Sequence, residues 1–157
     1  METYVRGANF SAIRDAAGKV DRAIEGASYA IGAKCNIKTY KGYLPLKQSD
    51  ALSRLFEENL KALPYAVNIH HGVDMVGSTD IGDLSHLMPV IQPTMGGYNG
   101  NLHALEFGVS DKEFAYLGAA KTMAMTVIDL LFDDAKEALS IKNDFTPLMS
   151  KEEYLNF

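Results

Sequence analysis

The residues whose types could support chemistry are the run Gly77-Ser78-Thr79-Asp80-Ile81-Gly82-Asp83 and the histidine His103. Gly77 permits a tight turn, because glycine takes backbone angles that other residues avoid. Ser78 or Thr79 can cap a short helix, and Asp80 and Asp83 put negative charge near its positive end. A glycine-rich loop follows, Gly96-Gly97-Tyr98-Asn99-Gly100, with His103 close behind it. A loop histidine facing a glycine turn can serve as a metal ligand or a substrate contact. Spacing alone leaves His103 open between that role and an ordinary loop histidine.

Other chemistries are poorly matched. Ser78 sits in Gly-Ser-Thr-Asp, not in the Gly-x-Ser-x-Gly elbow of a nucleophilic serine. The glycine loop lacks the Lys-Ser/Thr that completes a phosphate-cradling loop, and its plain reading is a turn. His70 and His71 are adjacent, so on a strand they point to opposite faces. His86 reads as a helix-face or helix-end histidine. No His-Glu-x-x-His run and no cysteine pair is present.

The elements that must position these residues follow from periodicity. Residues 2–6 read as a strand through Tyr4 and Val5. Asn9 can cap a long helix, Phe10 to Ile31, whose apolar stripe is Phe10, Ile13, Ala17, Val20, Ile24 and Ala27. Gly32 stops it, and residues 34–40 read as a second strand around Cys35, Ile37 and Thr39. A helix from Ser49 to Leu63 buries Leu52, Leu55, Phe56, Leu60 and Leu63, and Pro64 ends it. Residues 66–70 and the run Met88 to Ile91 are further strand candidates. Ser110 and Glu113 form a capping box. It opens a core helix to about Asp133 with a broad apolar face: Phe114, Leu117, Met123, Val127, Leu130 and Leu131. Residues 135–157 read as an irregular arm with a helical turn near Ser150 to Leu155.

Composition sets bounds. The 157 residues are enough for one domain of ordinary size, and 47% are hydrophobic and 22% charged, as in a globular protein. A net charge of −5 supplies no basic footprint for nucleic acid. The single cysteine, Cys35, rules out an internal disulfide, fits a reducing cytoplasmic setting and reads as a small buried hydrophobe. No targeting segment and no run long enough to span a bilayer is expected, so no membrane partner is expected.

In this order, three stretches resemble the zinc-dependent aminoacylase and carboxypeptidase family of metallopeptidases, closest to the amidohydrolases that include p-aminobenzoyl-glutamate hydrolases. Tyr4-Val5-Arg6 with the helix and strand that follow looks like half of the family's lid, or dimerisation, domain. Gly77-Ser78-Thr79-Asp80 is similar to its glycine-serine-x-aspartate segment. His103 sits where the family has its last metal-binding histidine.

The resemblance implies an α/β (α+β) fold. Residues 1–46 would be the strand-helix-strand half of a ferredoxin-like lid, 47–134 the C-terminal part of a zinc-peptidase catalytic domain, and 135–157 a C-terminal arm. It implies hydrolysis of amide bonds in N-acyl amino acids or similar small substrates, with zinc or manganese as the family's cofactor. Arg6 would hold a substrate carboxylate or carbonyl, with Gly77 and Ser78 near it, and His103 would be the metal ligand. Most metal ligands and the catalytic glutamate would lie in a segment that this chain lacks. No catalytic residue is therefore assigned, and the chain alone is expected to be inactive, with possibly no metal of its own. The expected partners are a second copy of the chain or a separately encoded N-terminal half. Two other readings stay open: an oligomerisation or interaction module, and a small-ligand-binding protein.

Overall fold

The computed structural model describes residues 1–65, 67–72 and 77–156. Three of its helices begin where the sequence places a cap. The Asn9 side chain accepts from the Ala12 amide and starts α1, Phe10–Ala30. The Ser49 hydroxyl accepts from the Leu52 amide and starts α2, Asp50–Ala62. Thr79 caps α3, Asp80–Ser85. Each satisfies a backbone donor that the first helical turn leaves without a partner.

The fold is mixed α+β, with one small antiparallel sheet among the described residues. Its strands are β1, Tyr98–Asn99, and β2, Gly108–Val109, with Tyr98 opposite Val109 and Asn99 opposite Gly108. The Tyr98 and Phe107 rings stack 5.4 Å apart beside it. The strands expected at 2–6, 34–40 and 88–91 do not form. Residues 67–70 are not a strand either, and Ala66 lies outside the described residues. A strand is held by a ladder to its neighbour. Near 88–91 one backbone bond, from the Ser49 amide to the Val90 carbonyl at 2.8 Å, takes the place of a ladder. Cys35, expected inside, is exposed, because its segment joins neither sheet nor core.

The last long helix corrects the expected cap by one residue. Asp111 accepts from the Phe114 amide at 3.0 Å, while the Ser110 amide donates to the Gly97 carbonyl. A π-helical stretch, Glu113–Gly118, leads into α4, Ala119–Asp144. Helical geometry breaks at Phe132–Ala135, close to the expected end, where Asp133, Asp134 and Ala135 take positive φ. Residues beyond the break are helical again, so the arm is less irregular than expected. It ends in α5, Lys151–Asn156, at the expected helical turn.

The core lies where α2 packs on α4. Phe56 and Leu60 of α2 are buried, as their spacing requires. Before the break, the buried side of the last helix is not its apolar face; beyond it, Ile141 is buried. The side buried before the break is the small and hydroxylated row Ala115, Gly118, Thr122 and Thr126. The Thr122 hydroxyl donates to the Gly118 carbonyl and the Thr126 hydroxyl to the Thr122 carbonyl, both at 2.8 Å. Each hydroxyl is thereby satisfied inside its own helix, which lets the row be buried. Asn59 of α2 crosses over, donating to Asp129 at 2.7 Å.

Met123, Val127, Ile128 and Leu131 are left exposed. No residue of α1 is fully buried; Phe10, Ile13, Ala17, Val20 and Ile24 of its stripe are half-buried and Ala27 is exposed. The accessible surface is 12004 Å². A compact chain of this mass shows about 7,800 Å². Contrary to the expectation of no spanning run, Glu113–Asp144 is long and apolar enough to cross a bilayer, by length and composition alone. Its α4 part packs against α2, the kind of contact a helix makes inside a protein.

Candidate functional site

A cleft of about 1990 Å³ runs between the N-terminal segment, the 41–48 connector, α2 and the turn before α3. Pockets for small molecules hold roughly 300–1,000 Å³, so this cleft is wider than one such ligand needs.

Arg6 and Ser78 meet on its wall. The Arg6 Nη1 donates to the Ser78 Oγ at 3.4 Å across 72 residues of sequence. Tyr4 lies beneath the guanidinium, 5.8 Å from ring centre to Cζ. Gly77 and Thr79 line the same cleft. The first turn of α3 is occupied locally: Asp80 Oδ1 accepts from the Ile81 amide at 3.0 Å, and the Gly82 amide donates to the Thr79 carbonyl.

The connector is fixed to α3 by side chains. Asp83 Oδ1 accepts from the Leu44 amide at 2.7 Å, and Ser85 Oγ accepts from the Lys47 amide at 3.0 Å. His86 caps the end of α3, is buried, and places Nε2 2.9 Å from the Pro45 carbonyl. Its role is structural, as the reading as a helix-end histidine expected.

Glu57 and Tyr154 on the cleft were given no site role by the sequence, and His70 and His71 were weighed only as a metal pair. Glu57 of α2 takes Lys61 at 2.5 Å and His71 at 3.2 Å. The Lys61 ammonium, with a smaller contribution from His71, holds the Glu57 carboxyl below its usual value. His70 also lines the cleft. Tyr154 of α5 donates to Asp83 Oδ2 at 3.0 Å, and the carboxylate beside it raises the phenol above its ordinary value. The one sequence signal for that contact was the pair Ser150 and Glu153, a capping box. The Ser150 amide donates to Glu153 Oε2 and the Glu153 amide to Ser150 Oγ.

His103 stands apart from this cleft. It lies in the loop between β1 and β2, exposed and with φ 67°. Among the described residues, no group of three or more His, Cys, Asp or Glu side chains is placed to hold a metal ion. The donors present do not by themselves fit a zinc or manganese centre, which needs about three protein ligands.

Fold and cleft together define a mixed α+β chain whose cleft wall sets a guanidinium beside a hydroxyl. No family model matches the sequence, and no solved structure matches it. The chain is similar to Xaa-Arg dipeptidase of Homo sapiens, 27% identical over 173 residues. The match takes in 98% of this chain and 37% of the dipeptidase, so the chain spans just over a third of that relative's length. This distant likeness supports a relationship to peptidases.

Proposed function

We propose that the chain supplies the substrate-carboxylate wall of a peptidase or amidohydrolase that acts on N-acyl amino acids or dipeptides. The observation that carries the reading is the meeting of Arg6 and Ser78 on the cleft, together with the likeness to a dipeptidase. Arg6 takes the carboxylate through its guanidinium fork, and Ser78 Oγ offers a further hydrogen bond. The groups that activate water for amide hydrolysis come from outside the described residues.

The test is calorimetric titration of the chain with N-acetyl-L-leucine and with its C-terminal amide. The acid binds and the amide does not. Arg6→Ala weakens the acid about tenfold, the effect of losing one charge-assisted contact at an exposed site. Equal binding of acid and amide, or an Arg6→Ala variant with unchanged affinity, refutes the carboxylate role.

The large exposed surface favours a second, compatible reading, that the chain works only in an assembly. The exposed apolar face of α4, Met123, Val127, Ile128 and Leu131, would be covered by a second copy or by a separately encoded N-terminal half. Sedimentation of the pure chain across a wide concentration range is expected to show dimers or larger species. A monomer at every concentration counts against the homo-oligomer.

A further inference from the structure

We infer that residues 148–156 form a strap that closes one side of the cleft, latched by the bond between Tyr154 and Asp83. The strap is attached at two places. At its start the Leu148 and Met149 amides donate to the His86 carbonyl, at 2.9 and 3.4 Å. At its end the Tyr154 hydroxyl reaches Asp83 Oδ2, and Tyr154 and Leu155 line the cleft. Between them the reciprocal pair Ser150 and Glu153 winds α5 as a unit.

The attachment is light by construction. No residue of α5 is buried, and Leu155 is 71% exposed. Segments with few buried contacts open at low free-energy cost, without unfolding the rest. The latch is also shared. Asp83 uses its other oxygen to hold the Leu44 amide, and Leu44 lines the same cleft. One carboxylate thus ties strap, α3 and connector together. Because α3 begins directly after Gly77-Ser78-Thr79, an open strap removes a wall from the cleft that contains Arg6 and Ser78. The reading of that cleft as a carboxylate site is needed only for what the strap encloses.

Hydrogen–deuterium exchange on the full chain separates the two. In Tyr154→Phe, exchange across 148–156 is expected to quicken about fivefold, the effect of one lost hydrogen bond to a carboxylate at an exposed site. The α2 and α4 amides keep their rates. In Asp83→Asn the Leu44 amide or the strap quickens, since the remaining carbonyl oxygen serves one donor well. Unchanged strap exchange in both variants overturns the latch, and so does equal quickening over α2 and α4, which is general destabilisation. With N-acetyl-L-leucine bound to the wild type, strap exchange slows. Binding without slowing overturns the strap as a wall. If that probe fails to bind at all, the carboxylate reading falls, and the Tyr154→Phe rates still decide the latch.

Discussion

Gly82→Ala is expected to destabilise the chain by about 3 kcal/mol, the upper range for forcing extra volume into a close-packed site. Gly82 is buried in α3, and a methyl group there would run into the Leu44 carbonyl oxygen, with the Leu44 carbonyl carbon 3.2 Å away. The obstacle is backbone, so no side-chain rotation relieves it. The connector must move off α3, and the bonds from the Leu44 amide to Asp83 and from the Lys47 amide to Ser85 stretch with it. Helix propensity pulls the other way, because alanine is better than glycine inside a helix by roughly 1 kcal/mol. The net sign therefore tests the close approach itself. Chemical denaturation of the two proteins reads it as a drop in the midpoint. A Gly82→Ala variant as stable as the parent means that connector and α3 are not in contact.

The helices were legible because their information is local. Asn9, Ser49 and Thr79 each cap within three residues, and the 3.6-residue period of Phe56 and Leu60 needs no distant partner. The strands at 2–6 and 34–40 were misread because residues such as Tyr4, Val5 and Ile37 state only a preference for a pleated surface. Whether a neighbour exists to complete the ladder is written elsewhere. The inner face of α4 was misread for a different reason. Its apolar residues outnumber Thr122 and Thr126, so hydrophobicity alone points to the wrong side. What inverts the choice is the ability of threonine to satisfy its hydroxyl on the preceding turn, matched by Asn59 across the contact.

At the site, no periodicity joins Arg6 to Ser78. The resemblance gave both residues a task at one substrate, and the fold sets them side by side. Tyr154 was legible only as part of a helical turn. Its contact with Asp83 depends on how the arm returns over α3, which no local pattern encodes.

In the assembly proposed above, the surface to be covered is the exposed α4 face of Met123, Val127, Ile128 and Leu131.

Gly97→Ala carries the second large effect, again about 3 kcal/mol, and here two penalties add. Gly97 has φ +92°, a conformation in which a side chain costs roughly 1–3 kcal/mol. Its new methyl group would also lie 2.8 Å from the Asp111 carbonyl oxygen and 2.9 Å from Ala115 Cβ. The Gly97 carbonyl meanwhile receives the Ser110 and Asp111 amides, at 2.9 and 3.1 Å. The glycine loop is thus a dock for the start of the last helix, which is why it needs no phosphate to explain it. Alanine pushes that helix start outward and strips the bond from the Phe114 amide to Asp111. The damage spreads to β1 and β2, which flank the same turn, and so to the loop bearing His103. Denaturation measures the loss, and the Tyr98–Phe107 stack gives a local readout through near-ultraviolet circular dichroism. Gly96→Ala is the internal control: its methyl group meets only the movable Phe114 ring, at 3.1 Å, and it costs much less. Equal effects at 96 and 97 would remove the docking role from Gly97 and leave a turn with no particular demand on either glycine.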